Sequence, residues 1–530
     1  MAFDFPLRRR ELTFVAALAA LAPLRALSNG QPSAWFEGGR PTALAREAIA
    51  LLAAAADHGL DARDYDAEAL ARAVAAAAAS PALTPAAAEL DAALTVAMQR
   101  FLHDLALGRI DPRRLQQRFG VAPRSGFDPA AALQAAVARG RLADAVRAAQ
   151  PPLPLYEQLR TALAQYRALG APAAWAQPLP PLPVPRGSRV GKLEQGQPWS
   201  GLPLLADRLQ VLGDLAAGVP VPALYEGAMV DAVRAFQQRH GLTVDGVIGR
   251  ATVAALEVTP AARARQIALT MERLRWTPLM QAPRMIVVNV PEFELRAYEV
   301  VDGHIHVREQ MRVIVGRALD TRTPLFDETM RFIEFAPYWN IPPSIARKET
   351  VPRLRRDPGY WDREGFEFVA GDGRVDPVLT SDKLDAVLAG RLRIRQRPGE
   401  RNALGDIKFV FPNNDNIFLH HTPGVALFER DRRDFSHGCI RVEKPVELAR
   451  FVMAGMPGWD EARIRDAMGA GTSTTIRLSA PVPVLIAYGT VLWKNGRIHF
   501  YDDLYGHDAR LDAALRERPS PVHERGSSFR

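Results

Sequence analysis

The residues best suited to covalent chemistry lie in the segment Asp434–Val442, which reads DFSHGCIRV and contains Cys439, the only cysteine of the chain. A free thiol ionises near pH 8.5, so a base or a cation must lie close to it if it is to act as a nucleophile at neutral pH. His437 and Arg441 flank the thiol two positions away on either side, and His420 lies 19 positions upstream. The segment therefore predicts a nucleophilic thiol beside histidine.

Only one of the adjacent imidazoles His420 and His421 is expected to face the thiol. His420 ends the β-branched and aromatic run Ile417–His420, and His421 follows it directly. Neighbouring residues of a strand point to opposite faces of a sheet. A strand, a loop and a return are enough to bring His420 beside Cys439, which leaves His421 facing outward. Gly438 permits unusual backbone dihedral angles, so the amides of Gly438 and Cys439 are predicted to stabilise an oxyanion. This combination predicts cysteine acyl transfer.

Two other roles for the thiol remain open. A lone cysteine is most often a small buried hydrophobe, although Ser, His, Gly and Arg are poor neighbours for a core position. Three histidines and a thiol are also zinc-ligand types, but Ser-His-Gly-Cys lacks the usual spacing of ligand pairs. A single cysteine excludes an intramolecular disulfide and any metal site built from cysteines alone. The predicted acyl transfer requires neither a metal nor a cofactor.

The same residues resemble the signature of the L,D-transpeptidase catalytic domain, in which an upstream His and a spacer precede Ser/Thr-His-Gly-Cys, an apolar residue and Asn or Arg. Here His420 precedes Ser436–Arg441. Flanking segments that resemble the long multi-domain branch typical of Gram-negative bacteria are Pro337–Pro342, Pro398–Gly405 and Leu419–Pro423. Tyr225–Leu256 is similar to the small helical peptidoglycan-binding module, and Asp104–Pro112 to the N-terminal helical scaffold of that branch.

The resemblance implies a role for each matching residue. It implies that Cys439 is the nucleophile, that His420 takes the thiol proton and that His437 orients the site, and these three form the catalytic set. The implied oxyanion and supporting residues are Ser436, Gly438 and Arg441, and the implied substrate-binding residues are Tyr338, Trp339 and Arg441. His421 stands where relatives often have Asp or a small residue, and Phe418 where many have Tyr. Both departures bear on the choice of acceptor.

The resemblance also implies the reaction. Cys439 would form a thioester with a peptidoglycan tetrapeptide stem, release D-alanine and pass the stem to an amine of a second stem, giving a 3→3 cross-link. Carbapenems are implied to acylate the same thiol. An L,D-carboxypeptidase and a lipoprotein-anchoring transpeptidase use the same chemistry with a different acceptor. A non-catalytic peptidoglycan-binding protein is the alternative from another class.

Hydrophobic periodicity and the resemblance together predict an α+β multi-domain chain. The chain has 530 residues and 48% hydrophobic residues, enough for about three domains at ~100–200 residues each. The predicted organisation is a signal peptide at 1–28, an all-α scaffold at 29–175, a proline-rich linker at 176–200, a peptidoglycan-binding module at 201–258, a β-rich catalytic domain at 259–510 with a capping insertion at 343–397, and a flexible tail at 511–530. Strand patterns between 484 and 501 predict a three-stranded meander.

Charge and the N-terminus indicate where such a chain acts. The net charge of +8 is spread along the chain, so it argues only weakly for nucleic acid and also suits an anionic cell-wall polymer. Arg8–Arg10 precede the short apolar run Leu12–Leu21 and small residues at Ala26–Ser28, a pattern that predicts export to the periplasm. The run is shorter than the ~20 residues that span a bilayer, so no stable membrane span is expected after cleavage. Sec and Tat export, a retained N-terminal anchor and an ordinary amphipathic helix all remain open.

Overall fold

The computed structural model describes residues 34–79, 85–120, 124, 126–279 and 282–517. The predicted signal peptide lies outside the described residues, as does 518–530 of the predicted tail. The chain divides into two compact units, the first comprising the residues up to Ala56, Leu60–Leu105 and Phe127–Gln150, and the second the remainder. Across the described residues, no helix combines the length and the apolar character that crossing a membrane requires.

The first unit is helical, as predicted. Its elements, with the last two residues of α3 in the second unit, are β1 (Phe36–Glu37), β2 (Arg40–Pro41), α1 (Ala43–Ala53), α2 (Ala67–Ala79), α3 (Pro85–Leu107), α4 (Pro129–Ala138) and α5 (Leu142–Ala149). Thr42 begins α1, because its side chain accepts a hydrogen bond from the Ala45 N–H. The buried Tyr65 hydroxyl donates to Asp104 Oδ2 over 3.1 Å, which satisfies a carboxylate inside this unit.

The helices of the second unit begin with α6 (Pro154–Ala168), α7 (Leu202–Val211), α8 (Ala228–Arg239), α9 (Arg250–Glu257) and α10 (Pro260–Trp276). Helices α7 to α9 share one hydrophobic core. The predicted linker contributes to that core, because Leu193 and Trp199 are buried in it and the Leu193 N–H donates to Ile248 O over 3.0 Å. Its proline-rich backbone is extended, but its apolar side chains make it part of the module.

Helix α10 connects this module to the sheet. Thr259 caps its first turn, and the side chain of Gln266 donates to the carbonyl oxygens of Thr490 and Tyr501 over 3.2 and 2.9 Å. Its end carries a buried ion pair, Arg275 with Glu272, at 2.6 Å. Buried charges are found in proteins almost only when they are paired in this way.

The sheet begins with β3 (Arg284–Asn289), β4 (Glu294–Val301), β5 (His304–Gly316) and β6 (Phe326–Phe335). Asp302 and Gly303 connect β4 to β5 with φ of 51° and 75°. Two consecutive positive φ values are the geometry of the tight hairpin turn that Asp-Gly favours.

The insertion follows β6 and is a small α/β subdomain. It contains β7 (Trp339–Asn340), α11 (Pro343–Ile345), a π-helical turn (Ala346–Thr350), α12 (Val351–Arg356), α13 (Tyr360–Glu364), β8 (Phe366–Ala370), β9 (Val375–Asp376), α14 (Ser381–Leu388) and β10 (Leu392–Gln396). Its strands form a separate sheet in the order β7-β10-β8-β9. The insertion has a hydrophobic core of its own, in which Trp361, Phe368 and Ile394 are buried.

The chain then returns to the main sheet, and the last element among the described residues is a helix. The remaining elements are β11 (Ile407–Val410), β12 (Leu419–His420), β13 (Asp434–Ser436), β14 (Ile440–Val442), α15 (Pro445–Val452), α16 (Glu461–Gly469), β15 (Thr474–Ala487), β16 (Val491–Lys494), β17 (Arg497–Phe500) and α17 (His507–Arg516). Leu511, placed in the flexible tail by sequence, is fully buried in α17.

The main sheet has the strand order β13-β5-β14-β12-β11-β6-β15-β3-β4, and β4 also pairs with β5, so the sheet curls back on itself. Most pairs are antiparallel, but β12 with β14, β13 with β5 and β15 with β3 are parallel. The predicted meander is wrong. Strand β15 lies inside this sheet between β6 and β3, and its side chains from Val484 to Ile486 are buried on both faces. Strands β16 and β17 form a separate hairpin.

Candidate active site

The parallel pairing of β12 with β14 places the thiol and the histidine on one face of the sheet. Leu419 is in register with Ile440, and His420 with Arg441. Side chains alternate along a strand, so Cys439 lies on the same face as His420, level with Phe418. Cys439 is one strand away from His420 and two residues along that strand. Neighbouring strands are about 4.8 Å apart and two residues advance about 6.6 Å, so an imidazole and a thiol that point toward each other can meet across this separation. The strand, loop and return that the sequence predicts between His420 and Cys439 correspond to this parallel pair.

The Cys439 thiol is half-buried and donates to Asn416 O over 3.5 Å. Burial raises the pKa of the thiol to about 11, since a thiolate loses its hydration there. A backbone hydrogen bond from Phe418 and the cations Lys408 and Arg441 lower the pKa, but they offset only part of the burial. The resting thiol is therefore neutral at neutral pH.

His420 is 4% exposed, and its Nδ1 lies 2.5 Å from His421 O. A carbonyl oxygen can only accept, so Nδ1 carries the hydrogen and Nε2 is left as the basic nitrogen. Burial lowers the pKa of His420 to about 3, and Arg441 lowers it further, whereas backbone hydrogen bonds at His421 and Leu404 raise it. His420 is therefore a neutral imidazole with no hydrogen on Nε2, and the proton of Cys439 must move during attack on a substrate.

The loop that carries the thiol is held by its own serine. Ser436 Oγ donates to Cys439 O over 2.5 Å and accepts from the Gly438 N–H over 3.1 Å. Gly438 has φ of 118°, a region that favours glycine. The sequence predicted that the Gly438 and Cys439 amides both serve an oxyanion, but the Gly438 amide is occupied by Ser436. The Cys439 amide is the candidate that remains.

Two residues that the sequence analysis missed fix the other side of this loop. Thr323 is 1% exposed, and its Oγ1 donates to Gly438 O over 2.8 Å and accepts from the Gly316 N–H over 2.9 Å. Tyr505 donates to Gly316 O over 2.6 Å and accepts from the Thr323 N–H over 3.2 Å. Both lie far from the motif in sequence, and only the pairing of strands brings them there.

Cations line the sheet face beside the thiol. Arg441 Nε is buried and has no hydrogen-bond partner among the residues that the structure describes. Lys408 is in register with His420 on β11, and its Nζ lies 4.4 Å from the centre of the Phe418 ring. A buried N–H of a cationic group without a partner is costly, so Arg441 is suited to bind an anionic group of a ligand.

Two further imidazoles are each paired with a carboxylate. His421 Nδ1 lies 2.7 Å from Asp406 Oδ1, which agrees with the prediction that it turns away from the thiol. His437 Nε2 lies 2.7 Å from Oε1 of Glu349, a residue of the π-helical turn in the insertion. The insertion thus contacts the catalytic loop two positions from Cys439, a contact that no local sequence signal indicated.

The predicted substrate-binding residues Tyr338 and Trp339 lie at the base of the insertion. Trp339 pairs with Gln396 and packs against the insertion core, and the Arg395 guanidinium lies 4.1 Å from the Tyr338 ring centre. Tyr338 also lines a polar cavity of about 520 Å³ whose walls include Arg397. These contacts do not bring either aromatic residue to the thiol, so their role in substrate binding stays a prediction.

The described ranges contain no group of three or more His, Cys, Asp or Glu side chains placed to hold a metal ion. His420, His421 and His437 instead contact carbonyl or carboxylate oxygens.

Three known domain families match the chain. The scaffold domain matches residues 27–163, the peptidoglycan binding domain residues 202–256, and the L,D-transpeptidase catalytic domain residues 283–465. The chain carries an L,D-transpeptidase catalytic domain. That match includes Cys439, His420 and the insertion, and with the two other matches it confirms the predicted α+β multi-domain architecture.

The chain also resembles individual proteins. A relative from Haemophilus influenzae named "Putative L,D-transpeptidase" is 32% identical over 252 residues, which are 47% of this chain and 49% of that protein. The chain therefore matches about half the length of this curated relative. Solved L,D-transpeptidase structures from Stackebrandtia nassauensis and Xylanimonas cellulosilytica cover 57% and 59% of this chain, and 97% and 100% of their own, at 12% and 16% identity with TM-scores of 0.23 and 0.18. Scores this low add nothing to the assignment, which comes from the sequence matches.

The raised pKa of Cys439 predicts how the thiol reacts with iodoacetamide. Because the chain has one cysteine, alkylation followed by mass spectrometry from pH 5 to 10.5 reports on this thiol alone. We expect the rate to keep rising above pH 9, since burial disfavours the thiolate. A rate that levels off near neutral pH would show a preformed thiolate and contradict the neutral resting state.

Replacement of Thr323 tests the support beneath the catalytic loop. Thr323→Val preserves the shape but leaves Gly438 O and the Gly316 N–H without their partner, and each unpaired buried group costs about 1–3 kcal/mol. We expect denaturant unfolding to show a loss of ~2 kcal/mol or more and Cys439 acylation to slow. Thr323→Ser keeps the hydroxyl and is the matched control. Equal stability and equal acylation in Thr323→Val and the parent protein would refute this role.

Proposed function

We propose that this chain is a peptidoglycan L,D-transpeptidase that forms 3→3 cross-links between tetrapeptide stems in the periplasm. The observation that carries the proposal is the presence of a thiol and an unprotonated imidazole on one face of paired strands within an L,D-transpeptidase catalytic domain. The domains that match the chain imply a location in the cell envelope.

In the first half-reaction, Cys439 Sγ attacks the carbonyl carbon of the diaminopimelate residue in the donor stem while His420 Nε2 takes the thiol proton. The C–N bond to the terminal D-alanine breaks, and His420 returns the proton to the leaving amine. The product is a thioester on Cys439 and free D-alanine. We assign the tetrahedral oxyanion to the Cys439 amide, whose N–H would donate to it and stabilise the charge that develops there.

In the second half-reaction, the side-chain amine of another stem attacks the thioester carbonyl. The C–N bond forms and the C–S bond breaks, and His420 transfers the excess proton of the amine to the departing sulfur. The thiol is thereby restored. Because His420 is neutral after the first step, it is ready to act as the base again.

Other parts of the chain support this reaction. Arg441, with its unpaired Nε, is suited to a carboxylate of the donor stem. The insertion reaches the catalytic loop through Glu349, which supports a role in keeping water from the thioester. The peptidoglycan binding domain would raise the local concentration of substrate.

Incubation with disaccharide-tetrapeptide, followed by mass spectrometry of the products, tests the proposal. We expect loss of D-alanine and formation of a cross-linked dimer, both abolished in Cys439→Ala because the nucleophile is gone. We also expect a carbapenem to add covalently to the parent protein and not to the variant.

Each other outcome has a distinct meaning. D-alanine release without dimer would identify an L,D-carboxypeptidase or an enzyme with a protein acceptor. Absence of both products would leave a wall-binding protein and contradict the enzyme. Product formation by Cys439→Ala would contradict the mechanism.

A further inference from the structure

Glu349 is the carboxylate that the insertion brings to the catalytic loop. It lies in the π-helical turn Ala346–Thr350, and such turns are rare and occur often at functional sites. Its Oε1 lies 2.7 Å from Nε2 of His437, two positions from Cys439. The proposed mechanism does not use this carboxylate, although the contact places it close to the thiol.

The hydrogen bond between His437 and Glu349 holds both side chains in position and still leaves the Glu349 carboxylate accessible to solvent. A carboxylate can only accept, so His437 Nε2 carries a hydrogen and the ring cannot turn freely. The Glu349 side chain is 50% exposed, against 27% for His437. A soluble cation therefore has access to Glu349 while His437 keeps the carboxylate in position.

The charges around the thiol have a distinct arrangement. On the sheet face, Lys408 and Arg441 lie near Cys439, and Arg317 lies near Arg441. Lys408 is paired with Glu334 at 3.1 Å and Asp406 with His421, so Arg441 and Arg317 are the cations left to favour the carboxylates of a stem and to repel an ammonium group. On the insertion, the exposed Arg347 and Lys348 precede Glu349. Glu349 is the half-exposed carboxylate of the insertion that contacts the catalytic loop, so it is the group on this side that suits a cation.

We propose that Glu349, held in place by His437, recognises the primary ammonium group of the acceptor and thereby sets the preference for an amine over water. The ammonium group releases its extra proton to solvent before the neutral amine attacks the thioester. The inference rests on the proposed function, because it names the acceptor-side contact of the same site. It also gives the insertion a chemical role, since the Glu349 carboxylate can meet the acceptor ammonium group only when the insertion lies against the catalytic loop.

The experiment separates the charge of Glu349 from its hydrogen bond. Glu349→Gln keeps an acceptor for His437 but removes the negative charge. Asp382→Asn is the matched control, since Asp382 is an exposed carboxylate in α14 of the same insertion. For each full-length protein, D-alanine release reports the donor step, and dimer formation at increasing acceptor concentration gives the acceptor KM. Hydroxylamine, an uncharged nucleophile, gives the rate of thioester capture without an ammonium group.

We expect Glu349→Gln to raise the acceptor KM about tenfold, which corresponds to ~1.4 kcal/mol of lost recognition. We expect the donor step and hydroxylamine capture to change less than threefold, and Asp382→Asn to match the parent protein throughout. This pattern is specific to charge recognition, because a merely structural defect would slow hydroxylamine capture as well.

Two results would overturn the inference, and they differ from failure of the proposed function. An unchanged acceptor KM in Glu349→Gln shows that the charge is not used. Equal losses with the amine and with hydroxylamine assign Glu349 to the geometry of the loop. D-alanine release by the parent protein without dimer at any acceptor concentration contradicts the proposed cross-linking, on which the inference rests. Absence of D-alanine release by the parent protein instead contradicts the proposed function itself.

Discussion

The site depends on one parallel pairing of two short strands, β12 with β14. Their register sets Leu419 beside Ile440 in the buried core and leaves His420 and Arg441 on the opposite face. A shift of one residue in either strand would move a catalytic side chain to the other face, because side chains alternate with a period of two. The buried pair of apolar residues therefore enforces the register on which the chemistry depends.

Burial of that face determines the charge state of the proposed catalytic pair. The thiol has a raised pKa and His420 a lowered one, so both groups rest neutral. The hydrogen bond from His420 Nδ1 to His421 O supplies what the electrostatics do not, since it fixes the tautomer and keeps Nε2 basic. Ser436 and Thr323 hold the loop that presents the thiol. In an electropositive site a preformed thiolate would make the cysteine reactive, whereas here its reactivity depends on how the loop positions a neutral thiol.

Much of this arrangement could be predicted from local sequence. The single cysteine, the glycine before it and the upstream histidine predict the chemistry that we propose, and strand alternation predicts that His420 and His421 face apart. The register of a parallel pair, however, is set by non-local packing of Leu419 and Ile440, which no short pattern reports. Thr323, Tyr505 and Glu349 come from distant segments, so no short pattern around Cys439 indicates that they contact its loop. For Gly438 the sequence predicts unusual backbone dihedral angles, but not the hydrogen bond that its N–H donates to Ser436 Oγ.

The element boundaries follow the same division. Strand patterns between 484 and 501 predict a meander, whereas β15 lies inside the main sheet, because a strand buried on both faces shows no alternation that would indicate its place. The core of the insertion around Trp361 and Phe368 comes from residues spaced along several short elements, so no single stretch of sequence indicates it. Proline in the segment 176–200 indicated an extended backbone correctly, but not the burial of Trp199.

We propose that His420 and Cys439 react as a neutral pair, in which the donor stem acylates the thiol while His420 takes its proton. Quenched-flow mass mapping with a tetrapeptide donor alone, on the parent protein and on His420→Ala, is the decisive experiment. We expect an adduct of the stem minus D-alanine on the peptide that contains Cys439, forming at least a hundredfold more slowly without His420, a factor typical of general base catalysis at about 10²–10⁴. An adduct on any other residue, or equal rates in the two proteins, would contradict it.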